Sequence, residues 1–202
     1  MFDKKVLVAG CGGLGGYIIE MLLRLGVREI TAVDGDVFDE SNMNRQIYAT
    51  RYTIGKNKAE IAAQRALEIN PEIKINAITQ FIDQDNVDSI VHECDIAIDA
   101  LDNIESRKLL AASCSKYGIP MVYGAIGDFT AQAAVIYPGD KLLEELYNSK
   151  AQKLNTVSFV PPFCASMQLS LAYSLLRGEK PESNKLYIAG LDDLFFQEVK
   201  FK

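Results

Sequence analysis

Six residues near the N-terminus, Gly10-Cys11-Gly12-Gly13-Leu14-Gly15, constrain this chain more than any other feature. They follow Lys4–Ala9 (KKVLVA), an apolar run that reads as a buried strand. Apolar Leu14, Ile18, Leu22 and Leu25 then recur at helical spacing until Gly26, and Glu29–Asp34 (EITAVD) reads as a second strand. Strand, glycine turn, helix and strand together are the βαβ unit of a parallel sheet. In G-x-G-x-x-G at such a junction, Gly10 serves the tight turn. Gly12 and Gly13 let backbone N–H groups approach a phosphate, and Gly15 lets helix and strand pack closely. The helix N-terminus adds partial positive charge. Asp34 ends the second strand, where a carboxylate can accept from ribose hydroxyls. A purely structural turn would explain the glycines alone, but not the flanking strand, helix, unit length and acid together.

The remaining elements alternate in the same style. Asn57–Asn70 reads as a helix with Ile61, Ala62, Leu67 and Ile69 on its buried side, stopped by Pro71. Ile73–Thr79, Asp95–Ala100 and Pro120–Ala125 read as strands, with helices over Asn86–His92 and Ile104–Tyr117 between them. Strands over Thr130–Tyr137, Leu186–Ile188 and Leu194–Phe201 follow, with one helix, Pro161–Leu176. Strands less regularly separated by helices predict antiparallel additions. The expected fold is therefore α/β, a Rossmann-like three-layer fold with a mixed sheet. Residues 1–202 are expected to form a single domain, with a nucleotide-binding half (1–125) and C-terminal strands and helix (126–202). The polar stretch near 140–156 predicts a mobile insertion.

With 49% hydrophobic and 24% charged residues, the chain is of ordinary globular composition. Its net charge of −6 disfavours nucleic acid and anionic membranes. Neither a leader nor a membrane span is visible, so a cytoplasmic location is the default. Cys11, Cys94, Cys114 and Cys164 form no CxxC pair. Cys94 and Cys114 lie in apolar contexts and read as core. Cys164 opens a helix, where a thiol pKa can fall, but core packing is favoured. His92, the only histidine, is expected at an exposed helix end.

Residues 35–56 are too long for an ordinary connection and are read as functional. They carry Arg45 and Arg51, and Lys58 follows. A pyrophosphate bridge needs little beyond the helix N-terminus, whereas a triphosphate that loses pyrophosphate needs cations over its outer phosphates. Arg45 and Lys58 suit that role against the alternative of solvated surface charge. Asp102, just beyond a strand's carboxyl end, is placed to hold Mg²⁺, unless it or Asn103 simply caps the next helix.

The series GCGGLG, VDGDVFDESNMNRQ, IGKNKAE and ALDN resembles the ThiF/MoeB/HesA family, relatives of the ubiquitin-activating enzymes. The match runs from Val6 to Tyr137, about two-thirds of the chain. The resemblance implies an adenylyltransferase that uses ATP and Mg²⁺ on the C-terminal Gly-Gly of a ubiquitin-like sulfur carrier, in thiamin or molybdopterin synthesis. By motif, Gly13 would face the nucleotide and Asp34 the ribose. Ser41, Asn42 and Arg45 would surround the phosphates, and Arg45 and Lys58 would stabilise charge at the reacting centre. Asp102 would bind Mg²⁺, Asn103 would lie beside the nucleotide, and Asp36 and Gln46 would support. A homodimer is implied. Three departures follow: no zinc, no N-terminal extension carrying an arginine to a partner site, and no cysteine in Asp140–Thr156 for covalent transfer. The rivals are an NAD-dependent oxidoreductase, an ATP-dependent tRNA-modifying dehydratase of the same superfamily, and a module that binds a ubiquitin-like partner without turnover.

Overall fold

The computed structural model describes residues 2–147 and 156–201. Its strands are β1 (Phe2–Ala9), β2 (Val27–Val33), β3 (Lys74–Ile78), β4 (Ile96–Asp99), β5 (Met121–Gly127), β6 (Thr130–Ile136), β7 (Lys185–Gly190) and β8 (Phe195–Lys200). Its helices are α1 (Gly15–Arg24), α2 (Lys58–Ile69), α3 (Val87–Val91), α4 (Ile104–Tyr117), α5 (Leu142–Leu146) and α6 (Val160–Leu176). The strands form one sheet in the order β3-β2-β1-β4-β5-β6-β7-β8. β3, β2, β1, β4 and β5 run parallel, and β6, β7 and β8 are added antiparallel. This is the mixed α/β sheet that the sequence predicts.

Strand alternation builds two cores. Val6 and Val8 of β1 face one layer with Ile18, Ile61, Ala62 and Leu169. Leu7 and Ala9 face the other with Val87, Leu110 and Leu142. The central parallel strands β1, β4 and β5 are largely buried on both faces, and their near-continuous apolar runs reflect that, whereas β3 lies at the sheet edge and is not buried.

Element ends agree with the sequence reading to within a residue or two, as expected where ends fray. Two side chains depart from it. Leu25 is part-exposed because α1 ends at Arg24, and Leu67 is exposed because α2 buries Ala59, Ile61, Ala62 and Ala66 instead. The stretch read as a mobile insertion is packed over its first part. Leu142 and Leu143 of α5 are buried in the second core and Leu146, one turn on, packs against it, a pattern that the intervening charges hide. Residues 148–155, the rest of that stretch, lie outside the described residues. No helix among the described residues is long and apolar enough to cross a membrane.

The chain adds β2 and then β3 on one side of β1, then crosses back to add β4 and β5 on its other side, so the strand order reverses direction at β1. The crevice between the carboxyl ends of β1 and β4 is therefore the switch point where open α/β sheets bind ligands.

Candidate nucleotide site

The glycine turn is fixed by close backbone approach. Gly10 has φ +97°, and a Cβ there would lie 2.5 Å from the Ala100 carbonyl oxygen. A Cβ on Gly15 would lie 1.8 Å from the Gly10 carbonyl oxygen, so both positions exclude any side chain. Gly12 and Gly13 differ. The nearest side-chain atoms to a Cβ on either are 3.4 Å (Gln46 Nε2) and 3.8 Å (Pro161 Cβ) away, ordinary contact distances, so a small side chain would fit there and glycine is not required by the protein's own packing. Helix α1 has no side-chain cap and no acid in its first turn. Its first N–H groups therefore face the crevice without a side-chain acceptor, the arrangement that receives an anion.

Asp34 ties the turn to β2. Its carboxylate accepts from the Cys11 N–H (2.8 Å) and the Asp36 N–H (2.9 Å). Burial raises its pKa, opposed by the hydrogen bond from Cys11. Asp36 is 52% exposed and pairs with the Nζ of buried Lys58 at 2.5 Å. Burial raises the Asp36 carboxyl, but the hydrogen bonds from Lys58 and the Val37 N–H and the charge of Lys58 together outweigh it, and the pKa lies below the usual value. The Asp36 N–H also donates to the Asp34 carboxylate that holds the turn, so the ion pair ties Lys58 to the end of β2.

The long loop reaches the same place. Asp39 and Asn42 form a capping box around a short 3-10 turn, Glu40–Asn42, so Asn42 is buried as a structural cap. Ser41 is exposed, and its carbonyl accepts from Arg45 Nη1 at 3.0 Å. Arg45 Cγ lies 4.0 Å from a Cβ position on Gly13. Gln46 is buried, its amide nitrogen lies toward Gly12, and its Oε1 is a buried acceptor without a protein partner. On the far side of the turn, Asn103 caps α4 by accepting from Ser106 N–H at 2.8 Å. The cap is thus Asn103 and not Asp102. Asp102 stays exposed at the mouth, two residues beyond the Ala100 carbonyl that touches Gly10.

Four supporting side chains carry no role in the sequence reading. Asn57 caps α2 through Oδ1 and donates Nδ2 to the Asp34 (3.0 Å) and Asp36 (3.1 Å) carbonyls. Arg107 and Asp99 form a buried ion pair at 2.8 Å, and Arg107 Nη2 also donates to the Leu101 and Gly124 carbonyls. Gln168 of α6 donates to the Asp99 carbonyl at 2.8 Å. One signal was available: Arg107 falls in phase with Leu110 and Cys114 on the buried stripe of α4. Asn57→Ala is expected to cost about 1–2 kcal/mol, from the lost cap and two unmet carbonyls. A fall in melting temperature of about 4 °C, read by calorimetry, checks it; an unchanged melting curve counts against Asn57 as the clamp.

All four cysteines are free thiols, and Cys11, Cys114 and Cys164 are buried. Cys164 donates to the Gln132 carbonyl at 3.3 Å, and burial pushes its thiol up to about 12, so it is core rather than an activated thiol. Cys94 is half-buried rather than full core. His92 caps the end of α3, about half-exposed. Among the described residues no group of three His, Cys, Asp or Glu is placed to hold a metal ion.

An uncapped helix opened by a glycine turn at a sheet's switch point is the arrangement of an α/β protein of the nucleotide-binding class. The chain belongs to the ThiF family, whose model matches residues 1–202. The SAMP-activating enzyme E1 of Haloferax volcanii is 38% identical over 213 residues, spanning 100% of this chain and 78% of that protein. The molybdopterin-synthase adenylyltransferase of Escherichia coli is 30% identical over 207 residues, spanning 98% and 83%. These relatives are named for the class of enzyme that the motif series implied. Among solved structures, E. coli MccB with ATP superposes with a TM-score of 0.83 at 22% identity, over 98% of this chain and 64% of that one. The E. coli tRNA N6-threonylcarbamoyladenosine dehydratase in complex with AMP gives 0.75 at 25% identity, over 87% of each.

Proposed function

We propose that this chain uses ATP to adenylate the C-terminal Gly-Gly carboxylate of a ubiquitin-like sulfur carrier. The observation that carries the reading is convergence. Gln46 and Arg45 of the long loop lie against Gly12 and Gly13, Ala100 and Leu101 lie against Gly10, and the Lys58–Asp36 pair follows on Asp34, which holds the turn; together they support one shared site. The names of the full-span relatives support it, as does the matching family model.

The site fits a nucleotide on the protein's own terms: no side chain projects from Gly12 or Gly13, the helix that follows is uncapped, and Gln46 Oε1 is an acceptor without a protein partner. The α1 N-terminus and the N–H groups of Gly12 and Gly13 hold phosphate oxygens, and Asp34 accepts from the ribose. Ser41 and Asn42 shape the loop that carries Arg45. Arg45 and Lys58 neutralise charge as the carrier's carboxylate oxygen bonds to the α-phosphorus and the bond to the β-phosphate oxygen breaks, releasing pyrophosphate. No protein nucleophile is required, so positioning and charge neutralisation supply the catalysis. Asp102 would hold Mg²⁺, which shields phosphate charge when bound. A homodimer and a cytoplasmic location complete the proposal.

Carrier-dependent exchange of labelled pyrophosphate into ATP tests it. Exchange is expected with an intact sulfur carrier and none with one lacking its terminal glycines. Binding of NAD in preference to ATP would favour an oxidoreductase. Exchange driven by tRNA but not by carrier would favour the dehydratase reading, against which the net charge of −6 weighs.

A further inference from the structure

Strands β4 and β5 separate at their carboxyl ends. They pair only through Ala97–Met121 and Ile98–Val122, and beyond those residues the ladder between them stops. Two buried side chains from opposite layers close the opening. Gln168 of α6 donates Nε2 to the Asp99 carbonyl at 2.8 Å and to the Val122 carbonyl at 3.2 Å. A Cβ on Gly124 would lie 2.1 Å from Gln168 Cδ, so glycine is what admits the amide. Arg107 of α4 donates Nη2 to the Gly124 carbonyl at 3.0 Å and to the Leu101 carbonyl at 2.5 Å.

Arg107 is held on every side. Its Nε faces Asp99 Oδ2 at 2.8 Å, its Nη1 donates to the Tyr147 hydroxyl at 2.5 Å, and its guanidinium lies 5.0 Å from the centre of the Tyr123 ring. All three nitrogens are directed, so the plane of the group is fixed. A buried ion pair adds little net stability over apolar residues of the same volume, so this one calls for another reason. What it grips is one short segment. Asp99 Oδ1 accepts from the Leu101 N–H at 3.1 Å and Arg107 takes the Leu101 carbonyl, so the pair holds the peptide groups on both sides of Leu101. Asp102 comes next, and Asn103 caps α4 just beyond it. The Ala100–Leu101 backbone is also the surface that meets Gly10. The exposed Asp102 therefore stands on backbone that is clamped before and after it and seated against the glycine turn.

We propose that Arg107 is a positioning residue for the adenylation site, acting through Leu101 to set where the Asp102 carboxylate stands relative to the phosphates and their Mg²⁺. The inference rests on the proposed function in one respect, that Asp102 serves a metal-bound triphosphate. An outer partner that orients a metal-binding carboxylate matters by about ten- to a hundredfold in metal affinity or activity. Buried beneath the turn, Arg107 serves the nucleotide only through that carboxylate, so its effect is confined to the metal complex.

Calorimetric binding of ATP, first with Mg²⁺ and then with EDTA, separates the metal complex from the rest of the site. Arg107→Lys keeps a charge for Asp99 but cannot reach the two carbonyls as well. It is expected to weaken ATP binding about tenfold with Mg²⁺ and to leave the affinity in EDTA unchanged. Tyr147→Phe removes only the hydroxyl that steadies Nη1. It is expected to show the same pattern at about fivefold or less, and it decides the matter where Arg107→Lys fails to fold. In an Asp102→Asn background neither change is expected to weaken binding further, because the carboxylate through which they act is gone. Three results overturn the positioning role and leave the adenylation reading intact: no loss with Mg²⁺ in the folded variants, equal losses with Mg²⁺ and EDTA, or losses that add to that of Asp102→Asn. The metal-specific pattern, in a protein whose wild type shows no carrier-dependent exchange, keeps the positioning role and removes the adenylation reading. A wild type that binds no ATP overturns both.

Discussion

Lys58→Ala is expected to slow carrier-dependent ATP–pyrophosphate exchange by about a hundred- to a thousandfold while leaving the fold nearly as stable as before. The size follows from removing one preorganised positive group from a site of developing negative charge, which costs about 2.7–4 kcal/mol of barrier. Lys58 meets the conditions for that effect. It is only 6% exposed, stands at the start of α2, and is fixed by Asp36 at 2.5 Å. The stability cost is small because its partner, Asp36, is 52% exposed and remains hydrated when the lysine is gone. Asp36→Asn separates positioning from direct charge stabilisation. It leaves the ammonium in place but loosens it, so a drop of about tenfold is expected, well short of the lysine's own effect. Arg45→Ala and Asp102→Ala are expected to resemble Lys58→Ala. Arg45 reaches the turn from a different loop and so cannot be replaced by the lysine. Near-normal exchange in Lys58→Ala, with intact circular dichroism, would remove this cation from the chemistry.

Much of this site was legible before any coordinates. The glycine spacing announces a turn and a helix N-terminus because only glycine tolerates the 1.8 Å and 2.5 Å approaches at Gly15 and Gly10. Periodicity separated strands from helices because each core-facing residue must find one of two layers. What escaped is what long-range packing decides. The clamp from Asn57 to the Asp34 and Asp36 carbonyls spans more than twenty residues, and no local pattern encodes it. A capping asparagine looks the same whether or not its amide nitrogen has a second task. Asp102 and Asn103 were both open to the capping role, since which one caps depends on a single backbone angle. Asn103 sits extended at ψ 144° and takes it. Helix α5 hid because its three leucines sit among lysines and glutamates. Its burial is set by the sheet beneath it, which the local composition does not describe.

Arg107→Leu is expected to be the most destabilising single change at this end of the sheet, by about 3–5 kcal/mol at pH 8, because it strands a charge. Asp99 has no solvent exposure at all, and Arg107 is its ion-pair partner at 2.8 Å. The same guanidinium satisfies the Leu101 and Gly124 carbonyls and reaches the hydroxyl of Tyr147, joining β4, β5 and the segment after α5. Burial pushes the Asp99 carboxyl up to about 6, against the pull of Arg107; without that pull the folded-state pKa rises further. A carboxyl with a folded value above its unfolded value binds more protons when folded. Its contribution to stability is therefore full below about pH 4 and falls as pH climbs through the folded pKa. The variant should accordingly lose stability steeply between about pH 4 and neutrality, where the wild type changes less. Melting temperatures across that range give the measurement, with a deficit on the order of 10 °C expected at pH 8. Asp99→Asn combined with Arg107→Leu removes the stranded charge. It should abolish the extra pH dependence even though the two carbonyls still lack their donor. If single and double variants lose stability alike at every pH, the cost lies in the carbonyls, and the ion pair contributes little to holding the floor of the nucleotide crevice.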